Sequence, residues 1–328
     1  MIPKVPALIL MAGLMLAAGS LAWLALSSVD RAVRVRNAFL LRRGREEDFR
    51  WTPATLPLGF RVETADPPEE IGRALVDTGV TATNGDWARA RAIVTMLVAN
   101  WQRPGAIRAD LATTFRRILD GSGYCADYVR VFLAAARGAG LFCRQWSFSF
   151  DGFGGHGHTF VEVFDRERGA WAFLDVHNNV YATLAGSLTP LSALDLRRAI
   201  MQVPADVEFP PAGPGRLGFR HPDKLLDYYR RGAAEWYLWW GNDVITRDAT
   251  ILPRGITRWV GPLLHRLHGA IWRLPPFVAL VTPENDARVA QMERLRHRVI
   301  AAVVAIGVLG VLLIAPHLSA ALGSAGNA

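Results

Sequence analysis

Cysteine is scarce. Cys125 and Cys143 are the two in 328 residues, too few for a disulfide framework, and a reducing compartment suits an unpaired, reactive thiol. No C-x-x-C or H-E-x-x-H spacing occurs, and no Asp-rich loop. His156, His158, His177 and Cys125 therefore do not read as a zinc set, no calcium site is visible, and no cofactor is implied. There are no internal repeats. Charge is missing at both ends: there is none from Val5 to Leu26, and no Lys, Arg, Asp or Glu from Val299 to Ala328. A bilayer core needs about 20 apolar residues of helix, so transmembrane helices are expected at 5–26 and 299–318. The first run is too long, and its basic start (Lys4 alone) too weak, for a cleaved signal peptide.

What is present clusters around those ends. The formal net charge is +8 and 51% of residues are hydrophobic, with the apolar excess at the termini. Arg31, Arg34, Arg36, Arg42, Arg43 and Arg45 follow the first run, and Arg288, Arg294, Arg296 and Arg298 precede the second. Basic residues near span ends stay on the cytoplasmic side. The expectation is a two-pass protein of the inner membrane with residues 30–298 in the cytoplasm. The Ala- and Arg-rich composition points to a bacterial chain. The same placement accounts for the basic excess without a nucleic-acid partner. The segment from Tyr228-Tyr229-Arg230-Arg231 to Trp236-Tyr237-Leu238-Trp239-Trp240 fits core packing or a membrane-interface belt better than stacking on single strands.

Between the runs, residues 30–84 read as a charged juxtamembrane stretch followed by a Pro-containing linker. Residues 85–205 read as a domain, and 206–298 as an aromatic- and Arg-rich helical extension. Asp86 is expected to cap a helix running to Trp101, and Asp110 a second one running to Leu119. Gly121-Ser122-Gly123 breaks the chain before a third helix, Cys125 to Arg137, whose Val129, Phe132, Leu133 and Ala136 fall at helical spacing. Strands follow at Leu141–Phe150, His158–Phe164 and Ala170–Val176. The last two form a hairpin, and helices followed by strands argue for an α+β fold. Further helices are expected at Pro222–Trp240 and Ile256–Arg273; the second carries a basic-edged apolar stripe suited to a lipid surface or to covering the core. Gly152-Phe-Gly-Gly-His-Gly157 spells G-x-G-x-x-G, but a strand follows it where a dinucleotide site needs a helix. It is expected to be a flexible loop.

The chemistry is carried by three positions. Cysteine attacks as thiolate, which a helix N-terminus and a neighbouring imidazolium favour. Cys125 opens a helix whose backbone N–H groups can also hold an oxyanion. His158 begins one strand of the hairpin and Asp175 ends the other. A four-residue turn at Asp165–Arg168 would pair them directly on one face, giving a base and its orienting acceptor. His156 is a rival base, placed before the strand pattern begins. Cys143, inside a strand pattern, reads as core. Cys125 alone would read as a small buried hydrophobe.

Gly123-Tyr-Cys-Ala-Asp-Tyr128, Gly140-Leu141 with Arg144, His158-Thr-Phe-Val-Glu162 and Trp171-Ala-Phe-Leu-Asp175, in that order, resemble the transglutaminase-like superfamily over roughly residues 85–180. The resemblance implies a papain-like core with Cys125 as nucleophile, His158 as base and Asp175 as orienter. It also implies a carboxamide or peptide substrate taken through a Cys thioester, either to hydrolysis or to transfer onto an amine. Phe160, where that family commonly has Trp, and Val176-His177 after the aspartate depart from its pattern. The expected partners are a protein or peptide substrate and the lipid membrane. The alternative is a catalytically silent scaffold of the same fold.

Overall fold

The computed structural model describes residues 4–26, 28–100, 102, 105–107, 109–202, 205–215, 218–219, 221–248 and 274–325. Two helices open the chain. α1 (Lys4–Leu26) is almost wholly apolar, and α2 (Val29–Leu40) starts where the Ser28 hydroxyl accepts from the Arg31 N–H at 3.2 Å. After β1 (Leu41–Gly44) come α3 (Glu69–Asp77), α4 (Asp86–Val98), α5 (Leu111–Leu119) and α6 (Cys125–Gly138). Then β2 (Cys143–Ser149), β3 (Gly157–Asp165), β4 (Ala170–Asp175), β5 (Val180–Tyr181) and β6 (Thr183–Leu184) run to α7 (Ala193–Met201). β7 (Val207–Glu208), α8 (Leu225–Gly232), β8 (Trp236–Trp239), α9 (Val244–Asp248), β9 (Phe277–Leu280) and α10 (Asp286–Ala325) complete the order.

The fold is mixed α+β around one seven-stranded sheet of order β1-β9-β8-β2-β3-β4-β5, with only β1 and β9 parallel. Side chains alternate across it. Val161 and Val163 of β3 and Leu174 of β4 join the core under α3 to α6, with Ile93, Phe115 and Phe132. Phe160 and Phe173 face the other way, into an aromatic core with Trp146, Phe148, Trp236 and Tyr229 that α7 and α8 cover. A third cluster lies at the β1–β9 side, where Ala38, Phe153, Tyr237 and Phe277 meet Val289 and Met292 of α10.

Several elements differ from the sequence-based expectation. Residues 30–84 carry α2, a sheet strand and α3 besides the Pro-containing turns. The helix expected at Pro222–Trp240 ends at Gly232. There a Cβ would come within 2.2 Å of the Phe148 ring, and beyond it Trp236 and Leu238 alternate with Tyr237 between two cores. That period of two, in aromatic and branched residues, makes a strand. Strands from both 30–84 and 206–298 thus join the sheet built by 143–181. Asp86 is the first helical residue of α4 rather than its cap, and its carboxylate accepts from the Arg166 guanidinium at 2.7 and 2.6 Å and from the Arg166 backbone N–H at 3.1 Å. Asp110 does cap α5, accepting from Thr113 N–H at 2.7 Å. The helix expected at 256–273 lies outside the described residues.

Two membrane helices were expected. Among the described residues one helix is long and apolar enough to cross a bilayer, Asp286–Ala315 within α10, and Ile9–Ser20 of α1 is a shorter apolar segment. α10 packs against both α1 and α2.

Candidate active site

The approach to Cys125 is fixed by a tight turn. Gly121 has φ +83°, and a Cβ there would stand 2.1 Å from the Asn100 carbonyl oxygen. No other residue fits this turn without moving the chain. Tyr124 then takes extended backbone and α6 begins at Cys125. The Asp127 carboxylate accepts from the Tyr124 N–H at 2.9 Å and the Ile107 N–H at 3.3 Å; burial pushes its carboxyl up despite these bonds. Tyr128, Val129 and Phe132, fully buried, anchor the helix behind the thiol. Cys125 itself is partly exposed at the end of a helix whose first N–H groups have no partner inside it.

β3 and β4 bring His158 and Asp175 together, although the register is not the one expected. Val161 faces Leu174 and Asp165 faces Ala170, because the four-residue turn is Arg166–Gly169, one position later than expected. Asp175 is therefore diagonal to His158, not directly opposite. A displacement of two keeps both side chains on one face, and a diagonal pair is within reach of long side chains. His158 Nε2 lies 2.5 Å from Asp175 Oδ2. With Nε2 engaged, Nδ1 is the ring nitrogen left to exchange a proton with a thiol.

Asp175 is completely buried, and its charge is held by donors on every side. Asn178 gives its Nδ2 at 2.8 Å to Oδ2 and its backbone N–H at 3.0 Å to Oδ1. The Tyr229 hydroxyl of α8 donates to Oδ2 as well. Burial would raise this carboxyl, but the His158 charge and these bonds outweigh it and hold Asp175 below the usual carboxylate range. The converse holds at His158. Burial lowers the imidazole, yet the Asp175 carboxylate, with smaller contributions from Tyr228 and Cys125, leaves it well above the ordinary histidine value. Rings of Phe148 and Tyr228 stand 5.7 and 5.6 Å from the imidazole and keep water from it. Burial pushes the Tyr228 phenol up.

Other sequence candidates fall elsewhere. His156 is exposed, its Nε2 3.5 Å from Asp30 Oδ1. Cys143 is buried in the core beneath the helices, where desolvation pushes its thiol up. His177 lies beside the site, 6.2 Å from the His158 ring, and burial, then the His158 charge, pushes it down to about 4. The Gly152–Gly157 loop was expected to be flexible but is pinned: the Glu235 carboxylate accepts from Gly152 N–H at 2.8 Å and Phe153 N–H at 3.2 Å, Asn37 Nδ2 donates to Phe153 O at 2.7 Å, and Phe153 is buried. Asn178 and Tyr229 escaped the sequence reading. Asn178 had a signal, an amide three residues after the aspartate. Tyr229 had none beyond its aromatic neighbourhood.

A partly exposed cysteine at a helix start and a buried His–Asp pair on the sheet are thus present in one mixed α+β fold. Residues 73–176 match the family model of the Transglutaminase-like superfamily, so the chain carries a transglutaminase-like domain over about a third of its length. No curated protein matches the chain. No solved structure matches it either.

Proposed function

We propose that this protein is a membrane-anchored transglutaminase-like thiol enzyme acting on a carboxamide or peptide bond. The observation that carries the reading is the buried His158–Asp175 pair, joined at 2.5 Å, in a fold where Cys125 opens α6. His158 Nδ1 takes the thiol proton, and Sγ of Cys125 adds to the substrate carbonyl carbon. Backbone N–H groups at the start of α6 face the oxyanion. The C–N bond then breaks as the imidazolium returns its proton to the leaving nitrogen, leaving a thioester on Cys125. His158 next takes a proton from water or from an amine, whose oxygen or nitrogen attacks the thioester, and the thiol is restored. Asp175 keeps the imidazole in the productive tautomer throughout. Anchoring rests on α10, the two-pass arrangement on the uncharged N-terminal run, and a cytoplasmic position for the domain on the arginines inside both.

Iodoacetamide labelling followed by mass spectrometry tests the pair. Cys125 is expected to label far faster than Cys143, and His158→Ala to slow Cys125 by at least about tenfold, the size of a missing general base or ion-pair partner. Labelling of Cys125 that is indifferent to His158 would instead favour a silent scaffold.

A further inference from the structure

A cavity of about 310 Å³ lies between α2 and α10, lined by Arg34, Gln291, Met292, Arg294, Leu295 and Arg298. Arg298 is the last charged residue before the uncharged run that begins at Val299, so the cavity sits where α10 turns from charged to apolar. Its charge is not neutralised. Arginines nearby have carboxylate partners: Arg43 holds Asp286 at 2.5 Å and Glu293 at 2.9 Å, and Arg288 holds Glu235. Among the described residues, Arg34, Arg294 and Arg298 pair with no carboxylate; Arg34 gives one nitrogen to the Asp151 carbonyl at 2.5 Å. Three guanidiniums around one concavity repel one another unless an anion sits between them, and their planar forks suit the oxygens of a phosphate. Met292 and Leu295 give the cavity an apolar wall.

A second observation places this level at a membrane surface. Trp23, near the end of α1, is 60% exposed, and the Arg31 guanidinium lies 4.2 Å above its ring. Exposed Trp beside Arg is typical of the water–lipid boundary, and basic pockets between helices at that boundary hold anionic headgroups.

We propose that the Arg34–Arg294–Arg298 cavity binds a phosphate group, either the phosphodiester of an anionic lipid headgroup or free inorganic phosphate. The site is independent of the chemistry at Cys125. Because Arg34 also holds the Asp151 carbonyl in the loop before His158, an anion there would steady that loop.

The test uses the full chain in neutral detergent, with thermal unfolding followed against added dihexanoyl phosphatidylglycerol, dihexanoyl phosphatidylcholine or inorganic phosphate. Wild type is expected to be stabilised by the phosphatidylglycerol and not by the phosphatidylcholine. Arg294→Gln/Arg298→Gln should weaken that response by at least about tenfold in concentration, since two charge-assisted contacts are lost. Arg73→Gln/Arg117→Gln, with the same charge change on remote exposed positions of α3 and α5, should respond like wild type. Stabilisation by inorganic phosphate alone, with the same arginine dependence, would support the site and identify the free ion as its ligand. Should the double variant not fold, Arg294→Gln and Arg298→Gln made singly carry the comparison. No response to either anion, or an equal response in the arginine variants, overturns the proposal.

Discussion

At the scale of single residues, the His158–Asp175 pair dictates a measurable titration. The Asp175 charge is the main cause raising the imidazole, and burial opposes it. Asp175→Asn removes the raising cause and leaves burial, so the His158 titration should fall. Histidine-selective nitrogen NMR in a Cys125→Ser background would show wild-type His158 titrating well above about 6.5 and the Asp175→Asn variant below it. A titration unmoved by Asp175→Asn would dissolve the pair. The same linkage sets the pH window of stability. A raised His158 stabilises the fold below its unfolded value, and that contribution disappears as pH rises through the folded one. A depressed Asp175 stabilises above its own unfolded value, and its contribution disappears as pH falls through the folded one. The two are one interaction seen from both partners, fully present between about pH 4 and 6.5. Tyr229→Phe keeps the ring and deletes a hydroxyl that donates to a buried carboxylate. About 1.5–3 kcal/mol of unfolding free energy should be lost, as for hydrogen bonds to charged groups, read from urea unfolding.

At the scale of elements, what was legible was what is local. Helical spacing behind Cys125 placed α6 at its first residue, and alternation along 158–164 and 170–176 placed the hairpin strands. Parity alone put His158 and Asp175 on one face; the exact register escaped, because whether Asp165 or Arg166 opens the turn depends on cross-strand packing, not on the turn's own residues. Tyr229 lies 54 residues from the carboxylate it serves, and no local pattern reaches that far. β8 was misread as helix because its aromatics were weighed without Gly232 and Phe148, whose close approach ends α8. The β2–β3 register has its own lock. Arg144 and Glu162 are directly opposite, nearly inaccessible, and joined at 2.6 Å. Trp171 and Trp51 lie 4.0 and 4.8 Å from the guanidinium carbon. Glu162 also accepts from the Ala193 N–H at the start of α7 at 2.6 Å. Arg144→Met strands a buried carboxylate and should cost about 3–5 kcal/mol. Adding Glu162→Gln should restore part of that, because the stranded charge is gone. If the double variant were less stable than Arg144→Met, the ion pair would not be what holds this register.

At the scale of the whole molecule, the proposed anchoring through α10 would put the sheet on one side of a membrane. The site gives one constraint, since a thiol meant to attack as thiolate works where thiols stay reduced. The charges give another. Six arginines between Arg31 and Arg45 follow the N-terminal apolar run, and four between Arg288 and Arg298 precede the C-terminal one, while Lys4 is the one basic side chain beyond either run. Moving any of these groups into the bilayer is costly, and the bias in their placement sets orientation. The fold ties the two ends together: Arg43 beside β1 pairs with Asp286 and Glu293 of α10, and α1 lies along α10. If α10 crosses a membrane, α1 packed beside it would enter from the same side, and with the arginines inside both, the proposed reading predicts residues 30–298 in the cytoplasm and both termini outside. Spheroplasts treated with protease are expected to leave the central domain intact until the membrane is opened, and reporter enzymes fused after Ala328 should be active only in their extracytoplasmic form. Digestion of the domain in intact spheroplasts would reverse this topology and, with it, place Cys125 in a compartment where a free thiol is hard to keep.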